Sequence, residues 1–234
     1  MAFRSSAITS SNTGGNLTAT PSGVAAHDYL LGWFTRDGNH GAPTYPSGWT
    51  QRGANTDTTP DGQDCYSFDK DDATGSDSFT VTDGNTNQSA LITSAYSGRN
   101  NAAPRSATPV VTSNTASNTS PISATYIGIT AVAGDDIAVL IMTDQVAADG
   151  RWNASTITNY TQQRDGVNVD WVSGFGLQTR DNVGGGATGN FAVTWTRTTG
   201  TGNAGYRGVV HAIAAAAGGG GSVKPQLMML GVGS

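Results

Sequence analysis

The chain has 234 residues, with 17 aspartates and no glutamate against 12 lysines and arginines, a formal net charge of -5. No basic stripe offsets that charge, which argues against nucleic-acid binding. The lone Cys65 rules out a disulfide framework or a thiolate metal centre, and the longest apolar run, residues 137–142, is far short of a membrane span.

Helix formers are scarce: Lys70 and Lys224 are the only lysines, whereas Thr, Ser, Asn and Gly abound. This composition predicts an all-β fold, with Thr and Val in strands and Asn, Asp and Gly in turns. The length fits one large sandwich or two small ones.

The opening Met1-Ala2-Phe3-Arg4 has no apolar h-region, so the reading is of a chain made in a cytoplasm without a secretory signal. An N-terminal strand is expected, followed by a polar stretch from Thr9 to Gly15. Gly23-Val24-Ala25-Ala26-His27-Asp28 then forms a small-residue turn ahead of the apolar run Tyr29 to Thr35. A polar loop leads to Trp49-Thr50-Gln51-Arg52, an alternating stretch covers Asp77 to Thr82, and an apolar run covers Ala90 to Tyr96. The loop composition of residues 98–104 closes this unit, placed at residues 1–103.

The scheme then recurs over residues 104–216. A polar stretch runs from Thr112 to Ser120, and Ala131-Val132-Ala133-Gly134-Asp135-Asp136 leads into the run Ile137 to Thr143. Tyr160-Thr161-Gln162-Gln163, Asn190 to Thr196, and Gly208 to Ala214 follow in the same order. The spacing pairs Asp28 with Asp136, an offset of 108, and Trp49 with Tyr160, an offset of 111. Four landmarks in one order predict an internally duplicated antiparallel β-sandwich, jelly-roll or immunoglobulin-like, with its two halves packed together. Runs such as Ile137 to Met142 do not alternate, as expected of strands covered on both faces, and the natural cover is the other half.

Residues 217–234 read differently. A Gly-rich linker leads to the apolar tip Leu227-Met228-Met229-Leu230, which is expected to dock on a partner.

Candidate chemistry is thin. Gly200-Thr201-Gly202-Asn203-Ala204-Gly205 fits the dinucleotide-binding string, but the following residues read as a strand, so a hairpin loop is expected. Asp69, Asp71 and Asp72 offer weak calcium ligands, because the Gly falls at the seventh position and no Glu closes the loop; turn chemistry is the stronger reading. His211 lies in an apolar run and reads as a hydrogen-bonded core or edge residue, while His27 and His40 fall in turns. No G-x-S-x-G elbow is present. Trp33, Trp49, Trp152, Trp171 and Trp195 could form a sugar-stacking platform, but core and corner packing is favoured. The reading is of a protein with no enzymatic activity and no cofactor.

The turn at residues 23–28 with its apolar strand, Pro46-Ser47-Gly48-Trp49-Thr50, and Ala95-Tyr96-Ser97-Gly98 together resemble a group of β-sandwich proteins of tailed bacteriophages and prophages. The resemblance spans about residues 20 to 215. The chain departs from the pattern with His27 in place of Gly, and with no Gly-Trp pair before Thr161. The resemblance implies a virion structural protein. The first expectation is a head decoration or cement protein on the capsid exterior, a homo-oligomer (a trimer as the starting guess) held to the major capsid protein or other virion proteins. A tail, baseplate or fibre component is the second, and a carbohydrate-binding adhesin module on the virion the third. No nucleic-acid or membrane partner is expected.

Overall fold

In the computed structural model, the residues described are 2–38, 40–56, 63–145, 151–164, 174–200 and 204–216. All regular structure among them is β-strand, and every strand pairing is antiparallel.

The first half holds β1 (Ala2–Ser11), β2 (Leu17–Ala19), β3 (Tyr29–Asp37), β4 (Thr50–Asn55), β5 (Gln63–Lys70), β6 (Phe79–Val81) and β7 (Ser89–Ser97). Five of these form a sheet in the order β1-β7-β3-β5-β4, and β2 pairs with β6. The second half holds β8 (Val110–Asn118), β9 (Ile122–Tyr126), β10 (Thr130–Ala131), β11 (Asp136–Gln145), β12 (Arg151–Ala154), β13 (Thr161–Arg164), β14 (Gly174–Arg180), β15 (Gly186–Ala187), β16 (Phe191–Thr199) and β17 (Ala204–Ile213). Its large sheet runs β8-β17-β11-β14-β13, its small sheet β9-β16-β12, and β10 pairs with β15. Counting strands from the N-terminal edge, the two large sheets have the same order.

Three cores separate four layers. One lies between the first large sheet and β2–β6, and includes Leu30, Phe34, Trp49, Phe68 and Phe79. A second lies between the other large sheet and β9-β16-β12, around Trp152, Trp195 and Phe191. The third joins the large sheets back to back: Tyr29, Leu31, Trp33 and Ile92 meet Leu140, Met142, Phe175 and Val209. Trp33 stacks on Phe175 with ring centroids 6.1 Å apart. This accounts for the non-alternating runs. Tyr29 to Thr35 and every residue of β17 are buried, because these central strands have a core on each face. Opposite edges meet as well. At Gly53 in β4 an added Cβ would come within 2.9 Å of Val111 in β8, so only glycine permits this approach.

The same local devices recur in both halves. Asp28 Oδ2 accepts from the Ala25 backbone N–H at 2.8 Å, and Asp135 Oδ2 accepts from that of Val132 at 2.7 Å. The following loop closes alike, from the Ala73 N–H to the Asp28 carbonyl and from the Val183 N–H to the Asp135 carbonyl. The counterpart of Asp28 is therefore Asp135, one residue earlier than the spacing implied. His27 (φ 69°) matches Gly134 (φ 95°), a left-handed position that favours glycine. Gly48 (φ 83°) likewise matches Asn159 (φ 68°), each preceding the aromatic of the pair Trp49 and Tyr160. Trp49 stacks on Phe79 at 4.1 Å, and Tyr160 meets Phe191 edge-on at 5.4 Å.

Two expectations shift. The polar stretches after the first strand of each half are largely strand: β1 reaches Ser11 and β8 reaches Asn118. Both are edge strands, where alternate side chains face water and Ser, Thr and Asn are tolerated. Gly200 does not lie in a hairpin either, since the β16 and β17 it separates belong to different sheets. A strand follows, where a dinucleotide site needs a helix.

Residues 98–106 connect the halves and are stitched to the end of β17. The Asn100 N–H donates to the Ala214 carbonyl at 2.8 Å, Ala214 to Pro104 at 2.9 Å, and Ala216 to Gly98 at 3.1 Å. At the far end of β3, Arg36 is clamped between Asp83 (2.6 Å) and Asp64 (3.0 Å), with all three side chains buried.

Candidate functional site

Chemistry concentrates at the junction of the halves, where β4 and β5 of the first meet the segment entering β8. Asp69, near the end of β5, is 1% exposed. It accepts from Tyr29 Oη at 2.8 Å, from Arg52 Nε at 2.7 Å, and from Arg105 Nη1. Arg105 Nη1 also reaches Asp71 at 3.2 Å. Burial, reinforced by the Asp69 charge, pushes the Tyr29 phenol well above its ordinary range. Burial alone would lower Arg105, but Asp69 outweighs it and holds the guanidinium firmly charged. Arg52 sits at a β-bulge in β4, the irregularity between Gln51 and Gly53 that turns its side chain to Asp69.

Of these residues, Arg52 and Arg105 line an open groove of about 600 Å³, together with Gln51 and residues 106–109. Ser106, also in the lining, donates to Asp135, which ties the groove to the turn that opens β11.

The calcium candidates are placed by the same geometry. Asp69 is engaged by two guanidiniums and a phenol, Asp71 by Arg105, and Asp72 by His27 at 2.6 Å and Arg99 at 3.6 Å. Asp72 also takes a left-handed turn conformation (φ 66°), the role short polar side chains fill readily. Among the described residues, no group of three or more His, Cys, Asp or Glu side chains is placed to hold a metal ion. Leu227, Met228, Met229 and Leu230 lie outside the described residues.

Beneath the groove, Ser67 Oγ and His211 Nε2 lie 2.9 Å apart across the sheet interface, both fully buried. The sequence reads His211 as a hydrogen-bonded core or edge residue without showing Ser67 as its partner, because 144 residues separate them. No partner reaches His211 Nδ1 among the described residues. Burial, with Arg105 and Arg52 adding to it, brings the imidazole down to about 3. The neutral ring thus bridges the two sheets.

A pH dependence follows. His211 titrates at about 3 when folded against an ordinary 6.5, so the unfolded chain binds more protons between those values. Stability therefore falls on acidification, by at most about 1.4 kcal/mol per pH unit from this group. Asp136, raised chiefly by burial to about 6 from 3.8, acts with opposite sign: its folded form holds the extra proton, and its stabilisation is lost as pH rises through about 6. His211→Gln is expected to flatten the acid limb of a urea-denaturation series between pH 6.5 and 4. An unchanged slope would show that the ring is not held neutral.

The tryptophans are structural where described. Trp33, Trp49, Trp152 and Trp195 are 2%, 6%, 1% and 0% exposed, which leaves none of these faces open to a sugar. Trp171 lies outside the described residues. No family model, curated protein or solved structure matches this chain.

Proposed function

We propose that this chain is a structural protein of a tailed-phage particle, first among the options a head decoration protein that ties capsid subunits together, and that its halves arose by internal duplication. The observation that carries this reading is where the motifs of the phage resemblance fall. The residue 23–28 turn caps β3 through Asp28, and Pro46-Ser47-Gly48-Trp49 shapes the entry to β4, with the Trp49 N–H donating to the Pro46 carbonyl at 3.3 Å. Both motifs specify a scaffold, and both have bonded counterparts in the second half. The burial of four tryptophans disfavours the adhesin alternative.

In this reading the apolar tip at residues 227–230 is a docking element, and multivalent attachment makes modest contacts collectively strong. At the end of the described body, the Ala216 N–H donates to the Gly98 carbonyl. The truncated chain should fold with nearly unchanged thermal stability and should assemble or attach to particles less well. Unfolding on truncation would place the tail in the chain's own core, and normal assembly would refute docking. Copy number in purified particles decides the location: hundreds of copies support head decoration, whereas a few to dozens support a tail or fibre role.

A further inference from the structure

We propose that the junction groove binds a carboxylate from an acidic segment of a partner protein, received by the guanidiniums of Arg52 and Arg105. The strongest support is the corresponding corner of the second half. There the bulge falls between Gln162 and Arg164, so Gln163 stands where β4 has Arg52, and Thr179 pairs with Thr161 as Asp69 pairs with Thr50. Gln163 Nε2 donates to Thr179 Oγ1 at 2.8 Å, just as Arg52 Nε donates to Asp69 at 2.7 Å. The fold thus closes this corner with a neutral pair in one half. A buried ion pair is a poor source of stability compared with a neutral substitute. The charged set in the first half, to which Arg105 adds a second guanidinium, exceeds what the backbone requires.

The arginines are also poised to receive an anion. Asp69 and Asp71 engage Nε of Arg52 and Nη1 of Arg105, and the Tyr29 hydroxyl also meets Arg105, so among the described residues no carboxylate engages the Nη groups of Arg52 or Nη2 of Arg105. The two side chains are 26% and 22% exposed, so those donors reach the groove, while buried Asp69 fixes their positions. Guanidinium forks match carboxylates in two-point geometry. Asp71 already marks the chemistry: it is 40% exposed and lies 3.2 Å from Arg105. A partner carboxylate would take its place on Arg105 and leave the half-exposed Asp71 to water. The groove's volume is that of a small-ligand site and accommodates a side chain with its neighbours.

This rests on the proposed docking role only in taking the ligand from a protein. The test uses the intact, uniformly ¹⁵N-labelled chain, titrated with an acetylated and amidated tri-aspartate peptide and separately with inorganic phosphate. The peptide is expected to give saturable shifts at the Arg52 Nε–H and at backbone amides 105–108. Arg52→Gln, which copies Gln163, should weaken binding about tenfold or more. Thr108→Glu, on the exposed rim and outside the Asp69 network, should do the same. Absence of saturable shifts, equal binding by Thr108→Glu, or tighter binding of phosphate than of peptide would each overturn the proposal. Copy number in particles reads the virion role separately, so failure of one is distinguishable from failure of the other.

Discussion

Replacing Arg36 with alanine is expected to destabilise the chain by about 3–5 kcal/mol, because it strands two buried carboxylates. Arg36 Nη1 lies 2.6 Å from Asp83 and Nη2 lies 3.0 Å from Asp64, with side-chain exposures of 1% or less throughout. Each aspartate has one oxygen without a partner among the described residues, Oδ1 of Asp64 and Oδ2 of Asp83, and the remaining donors among those residues are neutral: the His40 N–H and Tyr66 hydroxyl at Asp64, and the Asn85 amide at Asp83. The guanidinium also lies over the Tyr66 ring at 5.7 Å and donates to the Gly41 carbonyl, which holds the loop after β3. Neutralising the cluster as a whole should be far milder. The triple variant Arg36→Met, Asp64→Asn, Asp83→Asn is expected to recover most of the loss, since neutral replacement of a buried ion cluster is often tolerated. Urea denaturation of both variants checks this. A loss under about 1 kcal/mol for Arg36→Ala would mean that water reaches the cluster.

The outline of this fold is legible in the sequence, because hydrophobic periodicity and turn chemistry carry it. The unbroken runs at β3 and β11 announce strands covered on both faces, and the large sheets do cover each other. Register was less legible. Asp135 and Asp136 are adjacent and chemically identical in the sequence, and only the hydrogen bond from Val132 shows that Asp135 is the cap. The edge strands run further than their composition predicts because Ser, Thr and Asn serve loops and edge-strand positions equally well.

The groove was not legible, for a different reason. Arg52 and Arg105 lie 53 positions apart and have no motif between them, and the sequence marks Asp69 only as a weak calcium candidate with Asp71 and Asp72. What unites them is the packing of one half on the other. A signal did exist in the sequence: Trp-Thr-Gln-Arg in the first half stands against Tyr-Thr-Gln-Gln in the second, so a charge appears where the matching position is neutral. A difference between corners of matching backbone geometry is more informative about function than a shared feature, because shared features answer to that geometry.

Trp195→Ala is expected to cost about 3–5 kcal/mol, the range of large-to-small changes in a closed core. Phe191, Val193 and Trp195 alternate with exposed neighbours along β16, and all three face the core beneath the second large sheet. Trp195 is 0% exposed, and its Nε1–H donates to Tyr126 Oη at 3.0 Å. Truncation would therefore open a ring-sized cavity and also remove an acceptor's donor inside the core. The wall opposite cannot move in cheaply. A Cβ added at Gly174 would sit 2.5 Å from the Trp195 ring, so the backbone of β14 already lies against the indole, and strand pairing with β11 and β13 holds it there. Trp195→Phe should lose less, since it keeps much of the apolar volume while giving up the hydrogen bond. Gly174→Ala should also destabilise, by overpacking the same contact. Chemical denaturation of the three variants separates these effects. A change within about 0.5 kcal/mol for Trp195→Ala would mean an exposed ring and would revive the sugar-binding alternative.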